Sequence, residues 1–94
     1  IIRNGEVIDG TGKPRSKQDV GIKGDEIAAV GDLSGAVASK TVDAAGQVVT
    51  PGFIDMHSHA DQTILVYPYA QSFIGQGITT TVCGAPARLP MAMA

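Results

Sequence analysis

Short stretches of alternating apolar and polar residues fill the first half of the chain, with glycines between them. Ile1-Ile2-Arg3 leads through Asn4-Gly5 into Glu6-Val7-Ile8-Asp9. An Asn-Gly pair between apolar runs predicts a hairpin, since both central residues of a type I′ turn need positive φ. Gly10-Thr11-Gly12 and Pro14 then end the strand. Asp19-Val20-Gly21-Ile22-Lys23 alternates, Gly24-Asp25 fits a two-residue II′ turn, and Glu26-Ile27-Ala28-Ala29-Val30 returns. Residues 31–39 are small and polar, as in a loop. Thr41-Val42-Asp43 and Gln47-Val48-Val49-Thr50, either side of Ala44-Ala45-Gly46, predict one more strand pair. Residues 1–50 therefore read as an antiparallel β unit of several hairpins. It carries too little apolar area to stand alone and is expected to pack on something else.

The pattern changes at Pro51-Gly52. Phe53-Ile54-Asp55-Met56-His57 is a short apolar run, consistent with a strand buried on both faces. A loop is expected over 60–68. Ala70, Phe73 and Ile74 then fall at helical spacing within Tyr69–Gln76, and Gly77 stands where a helix-ending glycine belongs. The β-branched run Ile78-Thr79-Thr80-Thr81-Val82-Cys83 predicts another strand. Strand, loop, helix, glycine, strand is the order of a βαβ unit, which implies a parallel pair.

Composition narrows the function classes. The hydrophobic share is 44%, as in a globular protein rather than a disordered one. Net charge is -2 without a basic cluster, so no electrostatic footprint for nucleic acid is present. No apolar run is long enough to cross a bilayer, and no signal-peptide pattern stands at the start, although the chain opens on Ile1 rather than Met. The single cysteine, Cys83, rules out an internal disulfide framework. A cytoplasmic protein with neither membrane nor nucleic-acid partner is expected.

The chemistry concentrates in His57-Ser58-His59, which holds the only two histidines. In a strand, side chains at i and i+2 share a side. Two imidazoles leaving one strand end together can share a Zn²⁺ ion at about 2.0–2.1 Å each. In a parallel sheet this is the C-terminal edge, where (β/α) barrels and open α/β sheets build their sites. Asp55 has the same parity, and is either an orienter of a ligating imidazole or a hydrogen-bonded strand carboxylate. Taken alone, a His-x-His pair is also compatible with a surface or packed pair. Tyr67, Tyr69 and Asp61 read more readily as loop and helix-start residues than as substrate contacts.

Val49-Thr50-Pro51-Gly52-Phe53-Ile54-Asp55-Met56-His57-Ser58-His59 resembles the first barrel strand of the amidohydrolase superfamily, written Pro-Gly-hydrophobic-hydrophobic-Asp-x-His-x-His. Ile-Arg-Asn-Gly, Val-Ile-Asp-Gly, Gly-Asp-Glu-Ile-Ala-Ala-Val-Gly and Val-Asp-Ala-Ala-Gly are similar to that superfamily's small N-terminal β domain. His57-Ser58-His59-Ala60-Asp61 and Gln76-Gly77-Ile78-Thr79-Thr80-Thr81-Val82 resemble the N-acyl-D-amino-acid deacylase group. The resemblance covers residues 1–84.

The resemblance implies a mixed α and β architecture. Residues 1–50 would belong to a small β-sandwich domain, and residues 51–94 would begin a (β/α)₈ barrel. His57 and His59 would be ligands of one or two divalent ions, with Zn²⁺ foremost. The reaction would be metal-dependent hydrolysis of an amide C–N bond in a small molecule, foremost deacylation of N-acyl-D-amino acids. The remaining ligands and the general base would come from outside residues 1–94, so this stretch alone is not expected to be active. In the deacylase group a cysteine ligand follows the second strand. By spacing from His57 it would fall near Pro86, so Cys83 stands three positions early and is expected to be a strand-end thiol rather than a ligand. Two alternatives remain open at this point: a cyclic-amide hydrolase of the dihydroorotase or hydantoinase type, and a non-catalytic β module.

Overall fold

In a computed structural model, residues 1–84 are described. They are mixed α and β, mostly short strands with two single-turn helices. The chain divides into two compact units, Ile1–Pro51 and one beginning at Gly52.

The first unit is one sheet. Strand β1 (Ile2–Val7) lies between β2 (Ser16–Lys23) and the short strands β4 (Val42–Asp43) and β5 (Val48–Val49), and β3 (Glu26–Gly31) flanks β2. The β2–β3 hairpin forms where the alternation and turn chemistry predict it. Lys23 faces Glu26 across Gly24-Asp25, and Gly24 takes the positive φ of 66° that a II′ turn needs at its first central position. Asp9 closes the next turn, its carboxylate accepting from the Thr11 backbone N–H at 2.9 Å and hydroxyl at 2.7 Å.

Asn4-Gly5 is not a hairpin turn. The strand runs straight through it as a β-bulge, because Ile2 faces Val20 while Gly5 already faces Gln18, leaving Arg3 and Asn4 opposite Asp19 alone. Asn4 takes the left-handed φ of 63°, and its N–H donates to Asp19 Oδ1 at 2.9 Å. Gly5 follows because a Cβ there would lie 2.5 Å from Val49 Cγ2 and 3.3 Å from Ala44 Cβ. The expected hairpin over 41–50 is also replaced. Strands β4 and β5 do not pair with each other. Both run parallel to β1, β4 beside Ile2-Arg3 and β5 beside Glu6-Val7. The Ala44-to-Gln47 turn between them (Gln47 N–H to Ala44 carbonyl, 2.9 Å) buries Ala44. The sheet is thus antiparallel on one side of β1 and parallel on the other.

The second unit holds β6 (Phe53–Asp55), the helical turns α1 (Ala60–Thr63) and α2 (Gln71–Ile74), and β7 (Ile78–Thr81). Strands β6 and β7 pair in parallel, as the strand-helix-strand order predicts. Several details differ from expectation, among them that β6 ends at Asp55 and leaves His57 outside the strand. The stretch 60–68 opens with the turn α1 instead of being loop throughout, and β7 ends at Thr81 rather than Cys83. Gly77 (φ 77°) separates the α2 turn from β7. The register slips between Phe53/Ile78 and Ile54/Thr80, leaving Thr79 without a partner in β6. The Thr79 side chain lies over Gly52, where any Cβ would overlap it. Phe53 and Ile54, expected to be buried on both faces, are 55% and 60% exposed, because nothing among the described residues packs over them.

Candidate metal centre

The two histidines stand just past β6, and the local hydrogen bonds explain their placement. Asp55, the last β6 residue, turns its carboxylate back to accept the His57 N–H at 3.1 Å. It therefore serves the backbone of His57 rather than an imidazole. Ser58 N–H donates to the Val82 carbonyl at 3.1 Å, and Val82 N–H donates to the Asp55 carbonyl at 2.8 Å. The parallel ladder thereby continues one step beyond the regular strands. The Ser58 hydroxyl accepts the Ala60 N–H at 3.0 Å, and the His59 carbonyl accepts from Gln62 N–H at 3.0 Å as α1 begins.

This backbone path buries Ser58 between two exposed neighbours after the strand has ended. Ser58 points inward and is 5% exposed, whereas His57 and His59 are exposed. Their ring centroids lie 5.7 Å apart with the planes at 65°. Two imidazoles bound to one tetrahedral ion through nitrogens at 2.0–2.1 Å have centroids about 5–6 Å apart. The ring separation therefore lies within the range of two imidazoles that share one ion. His59 has φ -107° and ψ 26°, near the bridge region of the backbone map in which many active-site residues sit.

Among the described residues, no group of three or more His, Cys, Asp and Glu side chains is arranged to hold an ion, so neither Asp55, Asp61 nor Cys83 completes a set with the histidines. Cys83 is exposed, and its sulfur lies 3.4 Å from Thr81 Oγ1. Asp61 lies in the first turn of α1. Pro86, the position to which the family spacing pointed, is outside the described residues. Sequence reasoning passed over Ser58, whose signal was available: a small hydroxyl residue between two histidines on a strand edge must face the opposite way from both.

A hollow of about 910 Å³ in the second unit does not include the histidines. It lies among α1, α2 and β7, with Ile64, Tyr67, Tyr69, Phe73 and Ile78 on its walls. Its lining is mostly apolar and holds no His, Cys, Asp or Glu side chain.

The N-acyl-D-glutamate deacylase of Alcaligenes xylosoxydans xylosoxydans is 49% identical over 96 residues, which takes in 96% of this chain and 20% of that enzyme. A solved structure of D-aminoacylase, an enzyme with a binuclear metal centre, superposes with a TM-score of 0.85 at 51% identity, covering 88% of this chain and 18% of that one. The Bordetella bronchiseptica N-acyl-D-glutamate deacylase, solved with zinc and a phosphonate mimic of the tetrahedral intermediate, gives a TM-score of 0.84 at 44% identity over 96% of this chain and 20% of its own. This chain thus spans about a fifth of the length of the relatives it matches. The sequence profile of the amidohydrolase family matches residues 40–92, more than half of the chain and all of the strand, histidine pair and helical turns described above: the chain belongs to the amidohydrolase family.

Proposed function

We propose that the protein containing this chain is a zinc-dependent amidohydrolase that removes the acyl group from N-acyl-D-amino acids. The observation that carries the reading is the His57/His59 pair, two exposed imidazoles 5.7 Å apart on a hydrogen-bonded turn at the end of a parallel strand. The similarity to N-acyl-D-glutamate deacylase and D-aminoacylase supports the substrate class. In this reading residues 1–50 belong to a β-sandwich, residues 51–94 begin a (β/α)₈ barrel, and the site opens at the C-terminal edge of the barrel strands. The setting is cytoplasmic, and the partner is a small amide.

His57 and His59 would hold the ion through their imidazole nitrogens, both rings being exposed. A divalent ion held there would supply Lewis acidity for the amide carbonyl and would make a water a hydroxide-like nucleophile near neutral pH. The amide C–N bond breaks, the water oxygen joins the acyl carbon as a carboxylate, and the nitrogen leaves protonated as the free D-amino acid. The general base and further ligands come from outside residues 1–94.

The test is hydrolysis by the full-length protein, loaded with Zn²⁺, of matched N-acetyl-D- and N-acetyl-L-amino acids, with a chelator control. Release of the D-amino acid, at least about tenfold over the L-isomer and abolished by the chelator, is expected, since a site built around one configuration leaves the polar groups of the other unpaired. Ring opening of a hydantoin or dihydroorotate without deacylation would overturn the substrate class. Failure of the purified protein to bind metal would favour the non-catalytic module.

A further inference from the structure

The one buried polar side chain among the described residues is Ser58, and it stands between the two histidines. Its backbone N–H is tied to the Val82 carbonyl at the end of β7, and its hydroxyl accepts the Ala60 N–H at the first residue of α1. The flanking residues are fixed too, His57 through its N–H on Asp55 Oδ1 and His59 through its carbonyl on Gln62 N–H. The imidazoles themselves have no hydrogen bond to another side chain among the described residues, and within those residues the backbone path sets their separation. We infer that Ser58 is a positioning residue for the metal pair: its buried hydroxyl locks the turn from His57 to Ala60 and thereby holds the two rings at the spacing one ion requires. The inference rests on the proposed metal reading and deepens it.

The physical argument is one of satisfaction. Without the hydroxyl, the part-buried Ala60 N–H loses its acceptor, and the local backbone rearranges to find it another partner. The residue that moves with it is His59, which immediately precedes Ala60. The Val82 bond survives any substitution at 58 other than proline, because it uses the backbone N–H. The hydroxyl's effect is therefore separable from that of the ladder. Groups that orient ligands from behind them typically change metal affinity about 10–100-fold when removed.

The experiment uses the full-length protein and Zn²⁺ itself, titrated in competition with a chromophoric chelator, together with the visible spectrum of the Co²⁺-substituted protein. Ser58→Ala is expected to weaken Zn²⁺ binding by about tenfold or more and to alter the Co²⁺ bands, while Ser58→Thr, which retains the hydroxyl, stays near the wild-type affinity and spectrum. His57→Ala runs alongside as a control on the metal reading. If Ser58→Ala binds Zn²⁺ as tightly as wild type with unchanged Co²⁺ bands while His57→Ala loses the metal, the positioning role is wrong and the metal site stands. If both Ser58 variants weaken binding together, in step with a fall in the melting temperature of the metal-free protein, Ser58 is merely structural and the inference also fails. Full metal retention in His57→Ala would overturn the metal reading itself, and the role of Ser58 with it.

Discussion

At the scale of single residues, the first unit is held by small polar anchors around its bulge. Asp43 accepts from the Asn4 side-chain amide at 2.9 Å and from the Ala45 N–H at 3.1 Å. These bonds, the Asn4 amide foremost, hold the Asp43 carboxyl below its ordinary range. Thr11 does the same for Asp9, and the Ser34 backbone N–H, with its hydroxyl, for Asp32. A carboxyl with a depressed pKa in the folded state contributes stability above its unfolded pKa of about 4 and loses it as pH falls through the folded value. The sheet's dependence on these three groups should therefore appear only in acid, below about pH 4. Asn4→Gly preserves the left-handed backbone at this position while removing the amide. It should raise the Asp43 midpoint toward the ordinary carboxylate value, measured by side-chain carboxyl NMR titration; an unmoved midpoint would refute the Asn4 contribution. The Asn4 bulge also marks a limit of local reading. The Asn-Gly dipeptide correctly indicated positive φ. Whether that φ makes a turn or a bulge depends on Asp19 and Val49, far away in sequence.

At the scale of elements, local signals succeeded where both partners lay within one hairpin and failed where a third strand decided. The β2–β3 hairpin needed only alternation and a glycine of positive φ. The parallel run of β4 and β5 along β1 depends on Gly5, which lets Val49 and Ala44 approach the backbone of β1. Nothing in the composition of 41–50 announces that contact. Gly5→Ala should force Val49 aside and cost about 1–3 kcal/mol, the range for overpacking. Val49→Ala in the same chain should recover part of the loss, because it removes the clashing methyl. Denaturant midpoints of the two single variants and the double variant form a cycle that checks this, and strict additivity would count against the contact. The parallel pairing of β6 with β7 was legible for a different reason: only a crossover connection joins parallel strands, and the 53–83 pattern contains one. The exposure of β6 was not legible, since an apolar run reports the burial a strand is suited to rather than the neighbours it finds.

At the scale of the whole molecule, the burial pattern argues that this stretch works as part of something larger. The buried apolar residues among those described are Val20 and Ala44, whereas Ile22, Ile27, Val30, Phe53 and Ile54 are all more than half exposed. So small a core does not offset the conformational entropy of about fifty residues, at roughly 1–2 kcal/mol each. Residues 1–50 expressed alone should therefore give a broad, non-cooperative thermal transition by circular dichroism. A sharp two-state melt would contradict this. The candidate site follows the same logic. The sequence made the histidine pair readable as candidate ligands, although β6 ends at Asp55 and both residues stand beyond it. It could not reveal the anchors on Val82 and Ala60, since these depend on where the next strand and the α1 turn lie. The central claim is that His57 and His59 together bind one divalent ion. Zinc X-ray absorption on the full-length protein addresses it most directly. The account predicts at least two imidazole nitrogens at about 2.0–2.1 Å from zinc, one fewer or no bound zinc in His59→Ala. An unchanged imidazole count in that variant, or a wild-type zinc shell without imidazole, would contradict it.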